Sequence, residues 1–95
     1  MSAYMVVNVY LQGTDWVQDY VANVPTIIRK FGGEYLAVSK TLQQFEGDGP
    51  VPDQVALFTF SSLAAMNDFI DSAEYAPYKK ARMAQSSAQI VGFET

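Results

Sequence analysis

The order of strands and helices constrains this chain more than any other feature of its sequence. Residues typical of strands, bounded by turn residues, mark four segments: 3–11, 34–40 with a further extended piece at 42–45, 54–60 and 88–94. Apolar residues at helical spacing mark two others, 16–31 and 62–85, the second interrupted at Asp71-Ser72. The predicted order is therefore strand, helix, two strands, helix and strand, all within 95 residues.

The ends of the predicted helices carry residues with known capping roles. Asp15 resembles the N-cap of the first helix, and Gly32 can take the positive φ with which helices commonly end. Ser62 is a good N-cap for the second helix. Pro25 lies inside the first helix, where it removes a backbone hydrogen bond and predicts a kink.

The order βαββαβ predicts an α+β ferredoxin-like sandwich. Two long connections with right-handed crossovers place both helices on one face of a four-stranded antiparallel sheet. We expect one domain over residues 1–95. The first strand is apolar on both sides, with Met5 and Val7 on one side and Tyr4 and Val6 on the other. The face without helices would therefore be too apolar to remain exposed to solvent, and we expect a homodimer that buries this open sheet face.

Charge and composition argue against several functions. The net charge of −4 repels a phosphate backbone, so nucleic acid is not an expected partner. No segment approaches the roughly 20 apolar residues of a membrane span, and no signal peptide is recognisable, so a cytoplasmic protein without a membrane partner is expected. The chain has no Cys and no His, which removes the commonest metal ligands and general bases. We expect neither a metal nor a cofactor.

The first candidate site is Tyr75, Tyr78 and Arg82, which share one face of a helix at positions i, i+3 and i+7. A guanidinium beside two phenols can orient a carboxylate or an enolate. The alternative is structural: the tyrosine rings anchor the helix on the sheet, and Arg82 pairs with a nearby carboxylate.

The second candidate is the glycine-rich loop, in which Glu46 and Asp48 could bind a cation or supply a general base. Two carboxylates are too few for a specific Ca²⁺ site. The alternative is an exposed turn in which these side chains bond to nearby backbone.

The third set of candidates consists of polar groups on apolar elements. Asn8 interrupts the apolar first strand, and a buried amide needs partners, which a ligand could supply. Tyr20 and Tyr35 could line a cavity between helix and sheet together with Tyr78. The alternatives are that Asn8 is satisfied inside a dimer interface and that the tyrosines belong to the core.

Four motifs occur in a specific order along nearly the whole chain: FGGEYL at 31–36, FEGDGP at 45–50, LFTFSSLAA at 57–65 and SAEYAPYKKAR at 72–82. Together they resemble the bacterial family called domain of unknown function 1330. The resemblance implies the dimeric α/β-barrel superfamily, in which two such sandwiches pack sheet against sheet, but no known activity. The chain has Glu34 and residues 37–39 where the family commonly has basic residues, so an anionic substrate held by that region is not expected.

Two hypotheses for the function follow. The resemblance implies, through its superfamily, a small cofactor-independent enzyme that is monooxygenase- or isomerase-like and acts on an aromatic or lactone-like molecule. Arg82, Tyr75 and Glu46 would then be catalytic, and Tyr20, Tyr35, Tyr78 and Asn8 would bind the substrate. The other hypothesis is a non-catalytic module that binds or senses a small molecule, which the missing basic residues favour. The sequence names no substrate and leaves open whether any catalysis occurs.

Overall fold

The computed structural model describes residues 2–95 and has the element order that the sequence predicts. Its elements are β1 (Ala3–Leu11), α1 (Val17–Lys30), β2 (Glu34–Ser39), β3 (Gln54–Phe60), α2 (Leu63–Ile70), α3 (Ala76–Gln85) and β4 (Ser86–Glu94). The four strands form one antiparallel sheet in the order β2-β3-β1-β4, so β1 is an interior strand as predicted. The α+β ferredoxin-like fold is confirmed.

Two of the predicted helix ends are confirmed. Ser62 has extended backbone, and its hydroxyl accepts a hydrogen bond of 3.1 Å from the Ala65 amide at the start of α2. Gly32 follows α1 with a φ of +82°, a conformation that residues with a side chain rarely adopt. The next residue, Gly33, passes so close to the core that a Cβ there would lie 2.6 Å from Phe60. The Gly-Gly pair thus ends the helix and lets the chain turn against the sheet.

Three local predictions are wrong. Residues 42–45 form no strand, since β2 ends at Ser39 opposite Val55, almost at the first residue of its partner β3. The last strand begins at Ser86, two residues earlier than predicted and directly after α3. Asp15 does not cap α1, which begins after Trp16 without any side-chain cap, because the Asp15 carboxylate instead accepts a hydrogen bond from Gln85 at 3.4 Å.

The core lies between the three helices and one face of the sheet. From the sheet it contains alternate residues of two central strands: Ala3, Met5, Val7 and Val9 of β1, and Ala56, Phe58 and Phe60 of β3. The helical layer adds Val24, Ile28, Met66, Phe69 and Tyr75. None of the helices within residues 2–95 is long and apolar enough to cross a membrane.

The opposite sheet face carries no helix and is largely apolar. Tyr4 and Val6 of β1 lie there beside Phe93 and Val91 of β4, in the register that pairs these residues. The rings of Tyr4 and Phe93 stack with their centroids 5.4 Å apart, and Phe93 and Val91 are each about half exposed. We call this surface the open sheet face.

Candidate functional site

A cavity of about 400 Å³ lies between the helical layer and the sheet. Its wall is mostly apolar, with Met5 and Val7 of β1, Phe58 of β3, and Ile28 of α1 among the lining residues. Exposed apolar side chains also line it: Val21 of α1 with Leu36 and Val38 of β2, which mark an opening to solvent between α1 and β2, and Ile90 of β4. An apolar cavity that opens to solvent is typical of small-molecule sites.

Two tyrosine hydroxyls meet at the wall of this cavity. Tyr20 of α1 and Tyr75, just before α3, bring their hydroxyl oxygens to 2.7 Å, and their rings meet edge to face at 6.0 Å. Tyr75 is held in place by the turn between α2 and α3: its backbone N–H donates to the Ser72 hydroxyl, which itself donates to the Phe69 carbonyl. The Phe69 ring also packs on the Tyr75 ring at 4.4 Å. This turn therefore fixes the hydroxyl of Tyr75 against that of Tyr20.

Arg82 of α3 is buried, lines the same cavity and lies close enough to Tyr20 for its charge to act on that phenol. Only 6% of the residue is exposed, and its Nε has no hydrogen-bond partner within residues 2–95. The structural alternative in which Arg82 pairs with a carboxylate is wrong, because the one ion pair in the described part of the chain joins Lys30 and Glu74, 2.8 Å apart. Arg82 is thus a buried cation without an anionic partner among residues 2–95.

Burial changes the acidity of two tyrosines in this cavity. It raises the pKa of Tyr20 far above its ordinary value, and the Tyr75 phenol beside it raises that pKa further, while the positive charge of Arg82 acts in the opposite direction. Burial also raises the pKa of Tyr35 to about 12, with a smaller contribution from Tyr75. Both phenols therefore keep their protons at neutral pH, where they act as hydrogen-bond donors rather than as bases.

Four of the predicted site residues come together and three do not. Arg82, Tyr75, Tyr20 and Tyr35 all line the cavity. Three other residues lie elsewhere: Glu46 in the exposed loop between β2 and β3, Asn8 on the open sheet face, and Tyr78 in a separate groove beside Trp16 and Asp19. Within residues 2–95, no three acidic side chains lie close enough together to hold a metal ion.

The sequence interpretation missed the residues at the cavity mouth. The pairing of β2 with β3 shifts between Tyr35 and Ala37, which inserts Leu36 as an extra residue. As a result Tyr35, Leu36 and Val38 all border the cavity, although strict alternation from Tyr35 would place both Leu36 and Val38 on the opposite face. A register shift leaves no clear local mark in the sequence, and the one hint is that residues 36–38 are all apolar instead of alternating.

The comparison by sequence identifies one family. A family model described as a domain of unknown function, DUF1330, matches residues 2–95. No curated protein matches the chain significantly.

The comparison by structure finds proteins of the same fold at low sequence identity. A protein of unknown function from Rhodopseudomonas palustris is 17% identical with a TM-score of 0.84, over 99% of this chain and 82% of that one. A dimeric ferredoxin-like protein of unknown function from Jannaschia sp. CCS1 is 15% identical with a TM-score of 0.75, over the whole of both chains. SnoaB from Streptomyces nogalater, described as a cofactor-independent oxygenase, is 12% identical with a TM-score of 0.71, over 99% of this chain and 92% of that one. These likenesses show the fold.

Proposed function

The chain belongs to the DUF1330 family, and we propose that its cavity binds a small, largely apolar molecule such as an aromatic or lactone-like compound. The observation that carries this proposal is the cavity itself, with an apolar wall and a polar end formed by Arg82 and the Tyr20–Tyr75 hydroxyl pair. Its volume of about 400 Å³ lies in the range of about 300–1,000 Å³ that small-molecule sites occupy. In such sites the apolar wall provides affinity and a few polar groups fix the orientation of the ligand.

The chemistry of the wall favours binding over proton abstraction by the protein. No carboxylate within residues 2–95 lines the cavity, and the raised pKa of Tyr20 keeps its phenol protonated, so no phenolate is available there as a base at neutral pH. Glu46, the general base that the sequence suggests, lies in a loop outside this cavity. A ligand would therefore meet hydrogen-bond donors but no group suited to accept a proton.

A cofactor-independent enzyme is the second candidate, and one observation favours it. Arg82 and the Tyr20–Tyr75 pair gather hydrogen-bond donors at one end of an apolar cavity, which is an arrangement that stabilises an oxyanion or enolate. SnoaB shares the fold, but fold alone is a weak argument for activity. Because the cavity offers no base, the substrate would have to be acidic enough to ionise in water. Turnover of a bound phenol or lactone that is lost in both Arg82→Gln and Tyr75→Phe would support this candidate.

We further propose that the chain is a homodimer that buries the open sheet face. The apolar side chains on that face, including Val6, Val91 and Phe93, have no cover within residues 2–95 of one chain. The Jannaschia protein of the same fold is described as dimeric. Two open faces packed together would bury an area on the order of 1,600 Å² or more, as stable dimers do. The cavity mouth lies on the other side of the sheet, so the dimer would leave it accessible.

The binding proposal is tested by calorimetry with coumarin, a neutral aromatic lactone, and 2-naphthoate, an aromatic carboxylate. We expect the protein to bind at least one of them, and Val38→Trp to abolish binding by filling the mouth of the cavity. Met83→Trp is the matched control, because Met83 is also exposed and apolar but does not line the cavity. Failure of both compounds to bind, or binding that Val38→Trp leaves unchanged, would overturn the proposal.

A further inference from the structure

We infer that the ligand of this cavity carries an anionic group, a carboxylate or a delocalised enolate or phenolate, and that the guanidinium of Arg82 binds it. This inference rests on the proposed binding function and adds the chemical class of the ligand. It differs from an anion site on β2, where the sequence has Glu34 instead of a basic residue. The cation to which we assign the ligand's anionic group is Arg82 of α3.

The state of Arg82 is the first argument. Its guanidinium has five N–H donors, and buried donors in proteins nearly always have an acceptor. Yet Arg82 is only 6% exposed, its Nε has no partner, and no side-chain hydrogen bond or ion pair of this residue is formed within residues 2–95. Arg82 lines the cavity, and its two terminal nitrogens also lack a partner within residues 2–95 but, unlike Nε, are not fully buried. An acceptor for these two terminal nitrogens is therefore expected to come from a molecule that enters the cavity, whereas Nε itself is closed off from solvent.

The charge of the cavity is the second argument. Within residues 2–95, Arg82 is the one charged residue among those that line it, and the wall around it is apolar. Although the whole chain has a net charge of −4, the interior of this cavity is therefore positive. A low-dielectric wall strengthens the attraction of an anion and also strengthens the repulsion of a cation. A neutral ligand would leave the guanidinium without a counter-charge.

The tyrosine pair supplies the third argument. In a bond between two hydroxyls, one oxygen donates and the other accepts, so the accepting hydroxyl keeps its own proton free to donate elsewhere. Because burial keeps Tyr20 protonated, the pair offers this additional donor and not a negative charge that would repel an anion. Arg82 lies close enough to Tyr20 for its charge to act on that phenol, so the cavity brings guanidinium and phenol donors together, a set that suits the oxygens of a carboxylate or an enolate.

Arg82 also lines a second, more open cavity between α2, α3 and β4, together with Lys79. That cavity contains no carboxylate within the described residues either. An anion that approached Arg82 from this side would also be attracted by Lys79. The larger apolar wall of the first cavity favours a ligand that carries a ring, and a Lys79→Met variant distinguishes the two routes.

The experiment compares 2-naphthoate with 2-naphthamide, a neutral molecule of nearly the same shape, by calorimetry. We expect the wild-type protein to bind the acid roughly tenfold to a hundredfold more tightly, as charge-assisted hydrogen bonds to a buried guanidinium allow. Arg82→Gln should remove this preference and retain the binding of the amide, and Arg82→Lys should keep part of it. Lys80→Met removes the same unit charge from an exposed position of α3 that lines neither cavity, so it should preserve the preference.

The outcomes separate this inference from the proposed function. Equal affinity for acid and amide in the wild type, or a preference that survives in Arg82→Gln, would overturn the inference while the cavity remains a binding site. Binding of neither compound, and none of coumarin, would overturn both. A preference that Lys79→Met removes but Arg82→Gln does not would place the anion in the second cavity and contradict the assignment to Arg82. Circular dichroism of each variant checks that it is folded, and the wild-type comparison requires no variant at all.

Discussion

Replacing Arg82 with methionine should stabilise the ligand-free protein. Arg82 is 6% exposed and has no carboxylate partner within residues 2–95, so the folded state holds a charge that the unfolded chain exposes to water. Methionine keeps most of the apolar stem of the side chain and removes the charge. Even where buried ions are paired, replacing them with apolar residues is often neutral, or stabilises the protein by about 1–4 kcal/mol. For an unpaired guanidinium beside a cavity that water can enter, we expect about 1–3 kcal/mol.

This prediction is measured by urea unfolding at one fixed protein concentration, followed by circular dichroism. Each 1 kcal/mol would raise the Tm by roughly 4–8 °C in a domain of this size. Lys80→Met is the control, since an exposed lysine on the same helix should change stability by no more than about 0.5 kcal/mol. A loss of more than about 1 kcal/mol in Arg82→Met would refute the reasoning, because it would mean that the guanidinium stabilises the fold through structural contacts and is not held ready for a ligand.

Three further predictions concern the Tyr20–Tyr75 pair, the acidity of Tyr35 and the dimer. Tyr20→Phe should destabilise the protein by about 1–2 kcal/mol because it leaves the buried Tyr75 hydroxyl without its partner. In urea unfolding, the loss of stability in the double variant with Tyr75→Phe should be smaller than the sum of the losses in the two single variants. Because the pKa of Tyr35 is about 12 in the folded protein and 10.0 ordinarily, the native state keeps a proton that the unfolded chain releases; stability should therefore fall as the pH rises from about 10 to about 12, and less steeply in Tyr35→Phe. Val6→Glu should convert the dimer to a monomer in size-exclusion chromatography with light scattering, whereas Met83→Glu, on the helical side, should not.

Each of these three has a result that would contradict it. Additive effects in the double variant would mean that the two hydroxyls do not interact. Tyrosinate absorbance showing that Tyr35 ionises at its ordinary pH would contradict its burial at the cavity. A wild-type protein that is monomeric at micromolar concentration would remove the dimer from the proposal.

The fold could be predicted from the sequence because its signals are local. The two-sided apolar pattern of β1, the hydroxyl cap at Ser62 and the glycine after α1 each depend on residues close in the chain, and each is present as predicted. The failures involve partners far apart in sequence. The local pattern predicts that Asp15 caps α1, but its carboxylate bonds to Gln85, 70 residues away. The end of β2 is set by where β3 begins, which the residues at 42–45 do not encode.

The site was predictable in its residue types but not in its arrangement. Without His or Cys, the polar chemistry of a cavity falls to tyrosines and an arginine, and Tyr20, Tyr35, Tyr75 and Arg82 do line one. Helical spacing groups Tyr78 with Tyr75 and Arg82, yet Tyr75 stands before the first residue of α3, and Tyr78 lines a different groove. The absence of a partner for Arg82 within residues 2–95 depends on every element packed around it, so helical spacing alone could not reveal it.

The most direct test of ligand binding in this cavity is the position of bound 2-naphthoate, measured by intermolecular nuclear Overhauser effects in solution. We predict contacts between naphthyl protons and Met5, Tyr35 and Phe58 inside the cavity, with the carboxylate end towards Arg82. The same contacts should be absent in Val38→Trp. Contacts to the open sheet face around Val91 instead, or saturable binding without any contact to the cavity wall, would contradict the proposed site.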